Sequence, residues 1–231
     1  WRGVAGDRVA LLRENSPEWY ELYYGIVAIG AIAVPVDVKL REQEVAHIFH
    51  DCGVSTVLCS FKNKDLMTSL NDRLHELRAA VLLDCGDGDL PSGQRIDYYD
   101  YDQLRQEVSD AASPDARAFD QLAPADDSPA SSMYTSGTAG RKKGAVLTHR
   151  NFKSSIEGIA KAIEIRKPDN FMLILPLHHS FAFTAMLLLP VYAQCQVSLA
   201  ENLKTIKANM EDTSPTVLLA VPLLLEKMLA R

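Results

Sequence analysis

Cysteine is sparse in this sequence, and its spacing excludes two classes of protein. The four cysteines, Cys52, Cys59, Cys85 and Cys195, show neither the paired spacing of a zinc site nor the density of a disulfide-stapled secreted domain, which points to free thiols in a reducing, cytoplasmic setting. Long apolar runs are missing too. The stretches Gly25 to Val36 and Ala182 to Ala193 fall short of the ~20 residues that cross a bilayer, and no basic, apolar and small-residue leader opens the chain. That leaves room for peripheral contact at the inner face of a membrane but not for a spanning helix. Positive charge is in deficit, with 24 Lys and Arg against 30 Asp and Glu and a net charge of −6, and such a field repels nucleic acid.

What is present is a globular composition: 231 residues, 47% hydrophobic and 23% charged, enough for a substantial core in one large domain or two small ones. Short β-rich runs alternate with helical patterns. Arg8 to Leu12 reads as a buried strand, and Ser16, Pro17 and Glu18 then supply an N-cap, a first-turn proline and an acid for a helix from Pro17 to about Ile32. Its apolar face carries Trp19, Leu22, Tyr23, Ile26 and Ile29 or Gly30. Val34 to Val36 is extended, Glu42 to Asp51 is helical with Gly53 as its terminating glycine, Ser55 to Cys59 is a strand, Asp65 to Leu77 a helix and Ala79 to Leu83 a strand. The alternation predicts an α/β fold of mainly parallel sheets covered by helices, with right-handed crossovers.

From Cys85 to Pro129 the texture turns to Gly, Pro, Asp and Ser, with a short helical pattern at Asp102 to Val108. The expected division is a first subdomain over 1–93, an irregular connection over 94–129 and a second subdomain over 130–231. Strands are expected at Ala130 to Thr135, Ala145 to Leu147, Phe171 to Leu175, Gln196 to Leu199 and Thr216 to Ala220. Charge is unevenly placed: residues 84–130 carry 12 acidic and 3 basic side chains, whereas residues 131–170 carry 8 basic and 3 acidic ones. An anionic ligand is therefore sought in the second stretch.

That stretch holds a glycine-rich segment between two β-like runs. Gly137, Gly140 and Gly144 let backbone N–H groups turn toward an anion without a Cβ in the way; Thr135, Ser136 and Thr138 add hydroxyl donors; Arg141, Lys142 and Lys143 neutralise charge. A nucleoside triphosphate is the economical ligand. Neither a Walker A ending nor a dinucleotide GxGxxG is present, and a flexible turn with a solvated basic tip is the competing reading. His47 and His50, three apart on one helix beside Asp51, have a spacing compatible with a metal but lack a distant third ligand, so an exposed helical face is expected there. His149 and Asn151 are expected to begin a helix with an apolar stripe of Phe152, Ile156, Ile159, Ala160 and Ile163.

YTSGTAGRKKGAVLTHRN, Tyr134 to Asn151, resembles the signature phosphate-binding loop of the adenylate-forming superfamily, which includes acyl-CoA synthetases and the adenylation domains of peptide synthetases. FMLILPLHHSFAF, Phe171 to Phe183, resembles the next motif of that family, in which His179 matches a histidine beside the carboxylate and adenylate. The wording downstream is similar to bacterial long-chain fatty acid–CoA ligases.

The resemblance implies an acyl-CoA synthetase-like N-terminal domain, incomplete, with the C-terminal part of the enzyme absent, since the later adenine, ribose and catalytic-lysine motifs do not occur and Trp1 opens the chain without an initiator methionine. It implies ATP-dependent activation of a fatty acid to acyl-AMP and then acyl-CoA, with ATP, Mg2+ and CoA as cofactors or co-substrates, and a homodimer is compatible with it; this portion is not expected to be active alone. Thr135, Ser136, Gly137, Thr138, Ala139, Gly140, Arg141, Lys142 and Lys143 are the implied contacts to ATP phosphates, Thr135 the residue near Mg2+, His179 the catalytic candidate, and Phe181, Phe183 and Met186 with His179 the acyl-pocket candidates. The last three are equally expected as packing of a helix on a sheet. Two positions depart from the signature: Ala139 replaces a second hydroxyl, and Lys142 replaces a proline. The alternatives are another adenylate-forming enzyme acting on aryl or amino acids, or a non-catalytic binding module with a degenerate loop.

Overall fold

The computed structural model describes residues 5–110, 123–136 and 142–229. The chain divides into two compact units, one comprising Trp1–Glu14 with Glu18–His149 and the other Asn15–Pro17 with Arg150–Arg231.

The first unit is built on a seven-stranded sheet. In chain order its strands are β1 (Arg8–Leu12), β2 (Ile32–Pro35), β3 (Thr56–Ser60), β4 (Ala79–Leu83), β5 (Asp97–Asp100), β6 (Pro129–Ser136) and β7 (Lys142–Thr148), and their spatial order is β5-β4-β3-β1-β2-β6-β7. All pairs are parallel except β6 with β7. The continuous apolar texture of β1, β3 and β4 follows from burial on both faces: Val9 to Leu12 and Val57 are all but inaccessible. Helix α1 (Pro17–Ala28) buries Trp19, Leu22, Tyr23 and Ile26 of the face read from its spacing, with Val27 beside them, while Ile29 and Gly30 fall beyond its end. It stops short of the expected end because the chain turns at Gly30 and enters β2 at Ile32.

Helix α2 (Glu42–Cys52) ends where expected. Gly53 adopts φ 63°, and its N–H is within hydrogen-bonding reach of the carbonyls of His50 and Phe49. Helix α3 (Lys64–Leu70) is a turn or more shorter than its apolar pattern suggests. Arg95 accounts for this: its guanidinium donates to the carbonyls of Asn71, Leu74 and Leu77, and the Asn71 side chain accepts from the amides of Arg95 and Ile96. Carbonyls that a continuing helix would occupy are satisfied by a residue about two dozen positions away.

The structure corrects the expected subdomain boundaries. Strand β6 pairs with β2, at Ala33 and Ser131, so the hairpin assigned to the second subdomain extends the first sheet, and the compact units part at residues 149 and 150 instead. The connection is also less irregular than its composition suggests. Strand β5 adds Asp97–Asp100 to the sheet edge beside β4, and helix α4 (Tyr101–Asp110) follows, with Asp100 Oδ1 accepting from the amides of Asp102 and Gln103.

The second unit carries a parallel three-stranded sheet of order β10-β8-β9, from β8 (Asn170–Leu173), β9 (Gln196–Leu199) and β10 (Val217–Leu218). Asn170 is buried where the three meet; its side-chain Nδ2 donates to Thr213 O at 2.8 Å and its Oδ1 accepts from Ser198 Oγ at 3.0 Å. Helix α5 (His149–Ala162) buries Phe152 alone of its apolar stripe, and Ile163 just beyond it is 58% exposed. A helical segment over residues 180–193, here α6, runs from β8 toward β9 and contains a π turn at Phe183–Leu188. Pro190 has no N–H and its ring crowds the carbonyl four residues back, which a widened turn upstream accommodates. Helices α7 (Ile206–Thr213) and α8 (Pro222–Leu229) complete the unit.

Candidate functional site

The antiparallel ladder of β6 and β7 pairs Tyr134 with Gly144, Thr135 with Lys143 and Ser136 with Lys142. Residues 137–141 connect the two strands, so Gly137, Thr138, Ala139, Gly140 and Arg141 lie outside the described residues. Strand alternation sorts the flanking positions. Thr135 and Lys143, directly opposite each other and both exposed, share one face and present a hydroxyl and an ammonium together. Gly144 and Lys142 fall on the other face with Tyr134.

On that second face polar contacts reach α2. The Tyr134 hydroxyl donates to Asp51 Oδ2 at 2.6 Å, and burial, reinforced by the Asp51 carboxylate, pushes the phenol well above its ordinary range, so it stays a donor. The carbonyl of Lys142 lies 3.1 Å from His47 Nε2; a carbonyl only accepts, so the hydrogen bond places the proton on Nε2. Lys142 Nζ lies 3.9 Å from Glu44 Oε1, and Glu44 Oε2 accepts from the Arg41 amide in the first turn of α2. The ammonium of Lys142 is thus turned toward a carboxylate, away from the face shared by Thr135 and Lys143. Gly144 has a steric reason to be glycine: a Cβ there would stand 2.8 Å from Tyr134 Cζ.

The second unit positions the histidine motif. Strand β8 ends at Leu173, and the turn through Pro176 is strapped from both sides by Asn15, whose Nδ2 donates to Leu175 O at 2.9 Å while its Oδ1 accepts from the Leu177 amide at 3.0 Å. His179 follows as the N-terminal flank of α6. It is exposed, with its ring 4.1 Å from that of the half-buried His178. The acyl-pocket candidates separate: Phe183 and Met186 are fully buried, with the Phe183 ring 5.2 Å from that of Phe152, whereas Phe181 is 58% exposed.

Local patterns did not mark several of these residues. His47 and Asp51 read as an exposed helical face, yet both reach the strands flanking the glycine-rich connection, while His50 is exposed. Among the described residues no cluster of three or more His, Cys, Asp or Glu is arranged to hold a metal ion. Asn15 lies 160 residues from its partners, and only the tertiary structure reveals it.

A mostly parallel sheet with flanking helices, ending in an antiparallel hairpin that frames a glycine-containing connection, defines an α/β class of protein. The family model for AMP-binding enzymes matches residues 2–231, and the chain belongs to that family. It is 31% identical over 186 residues to the long-chain-fatty-acid–CoA ligase FadD13 of Mycobacterium tuberculosis, covering 80% of this chain and 33% of that relative. It is likewise 31% identical over 175 residues to crotonobetaine/carnitine–CoA ligase of Salmonella paratyphi C, covering 75% of this chain and 32% of that relative. Among solved structures, the inhibitor-bound N-terminal domain of FACL13 from Mycobacterium tuberculosis superposes with a TM-score of 0.74 at 27% identity, over 97% of this chain and 52% of that one. The chain spans about a third of the length of the curated relatives it matches.

Proposed function

We propose that this chain forms the phosphate-handling part of an ATP-dependent, AMP-forming carboxylate–CoA ligase whose carboxylate is a fatty acid. The observation that carries the reading is the pairing of Thr135 with Lys143 on one exposed face at the mouth of the glycine-rich connection. Supporting it are the family membership and the fatty-acid–CoA ligase among the relatives.

In this reading Lys143 neutralises charge on the ATP phosphates and Thr135 offers a hydroxyl oxygen, and Ser136 with residues 137–141 is assigned to the same phosphates from the sequence. Thr135 fits a hard divalent cation by chemistry, as one oxygen donor beside the oxygens of the nucleotide; Mg2+ when bound would balance the polyphosphate charge. The fatty carboxylate attacks the α-phosphorus, pyrophosphate leaves, and CoA thiolate then displaces AMP from the acyl-adenylate. The protein's share is positioning and charge neutralisation rather than covalent chemistry. His179 is proposed beside the carboxylate, on an exposed turn whose geometry Asn15 sets. Among the described residues no helix is long and apolar enough to cross a membrane.

A second carboxylate class is favoured by one observation. Phe183 and Met186 are committed to packing and Phe181 to the surface, so none of the three is an open wall for an alkyl chain, which favours a carboxylate without one; a crotonobetaine/carnitine–CoA ligase is among the relatives.

ATP–pyrophosphate exchange by the complete gene product, with palmitate, carnitine and benzoate in parallel, separates these readings. Palmitate-dependent exchange is expected. Lys143→Ala should lower kcat/KM for ATP by about 10-fold to 100-fold, the equivalent of one charge-assisted hydrogen bond, with the carboxylate KM unchanged. Exchange with carnitine alone would replace the substrate class, and no exchange with any carboxylate would favour a binding module.

A further inference from the structure

We infer that helix α2 is a brace for the phosphate-binding connection, and that His47 is a positioning residue for it. This rests on the phosphate reading above. Residues 44, 47 and 51 are spaced i, i+3 and i+7, which puts them on one face of α2. Each meets a residue on a strand flanking the connection: Asp51 takes the Tyr134 hydroxyl on the entering strand, His47 holds the Lys142 carbonyl on the leaving strand, and Glu44 lies 3.9 Å from the Lys142 ammonium.

Both strands that flank the connection are thereby tied to one rigid element. That element is itself anchored by Val45, Ile48 and Phe49, which are buried to within about one per cent. A glycine-containing segment that wraps an anion loses conformational freedom on binding, and fixing its ends beforehand reduces that loss.

The brace acts on ATP handling and not on the carboxylate, which makes it testable in the complete gene product. His47→Ala is expected to raise the KM for ATP about fivefold to tenfold and leave the carboxylate KM unchanged. His47→Gln, whose side-chain amide can still donate to the Lys142 carbonyl, should return the ATP KM to within about twofold of the parent. Should His47→Ala fail to fold, Tyr134→Phe carries the same test, because it removes only the hydroxyl that reaches Asp51. The brace is overturned if the folded variants keep the parental ATP KM, if ATP and carboxylate KM rise together, or if Gln behaves as Ala. Lys143→Ala, run alongside, separates the two levels. An effect there with none in the brace variants leaves the phosphate reading standing and removes the brace, whereas no effect in either removes both.

Discussion

Gly144 and Tyr134 face each other across the β6–β7 ladder, and each limits what the other can be. A methyl group on Gly144 would stand 2.8 Å from Tyr134 Cζ and 3.1 Å from Ser132 Oγ. Neither neighbour yields freely: the ring is tethered through its hydroxyl to Asp51, and Ser132 is buried within β6. Gly144→Ala is therefore expected to destabilise the fold by about 1–3 kcal/mol, and to lose most of that effect in a Tyr134→Ala background, where the ring is gone. Denaturant melts of both single variants and the double variant close a cycle that measures the coupling; strictly additive effects would show that the two residues do not constrain each other. Gly144 is legible in the sequence as a glycine of a phosphate-type loop. Its reason is not, because the ring above it is set by the antiparallel register, which no local pattern states.

Elements whose determinants are local were legible almost to the residue. Strands β1, β4 and β9 have the expected bounds, and Gly53 ends α2 by taking the left-handed conformation that glycine tolerates. Elements held by distant side chains were not. Arg95 truncates α3, and Asn15 shapes the turn that leads to His179 from 160 residues away. The Asn15 strap makes an element-scale prediction. Asn15→Ala removes a donor to Leu175 O and the acceptor of the Leu177 amide. Hydrogen exchange at Leu177 should then accelerate about tenfold, in line with the loss of a neutral hydrogen bond, while the amides of β8 keep their protection. Unchanged protection at Leu177 would mean that the turn is held by its own backbone and that Asn15 is incidental to the placement of the histidines.

At the scale of the whole molecule, the α/β class and the mainly parallel sheet follow from alternation and run length, but the division into units does not. The hairpin of β6 and β7 follows a long polar stretch in sequence and yet joins the sheet beside β2; strand partners in a parallel sheet are chosen by tertiary packing, which the spacing of runs along the chain does not record. Cys59 offers a readout of this sheet as a cooperative body. It lies in β3, between β1 and β4, with no accessible surface, and burial pushes its thiol up to about 12, with Cys85 nearby adding to the shift. Thiols react as thiolates, so at pH 8 the native state offers a reagent neither access nor charge. Alkylation of Cys59, followed by peptide mass spectrometry, should proceed only through opening of the sheet, and its rate should rise with urea along the full slope for unfolding of that unit. The half-buried Cys195, outside this sheet, should react without that dependence. Cys59 labelling insensitive to low urea would instead show that β3 opens locally, and would place the weakest part of the sheet next to the strand on which the rest of it is assembled.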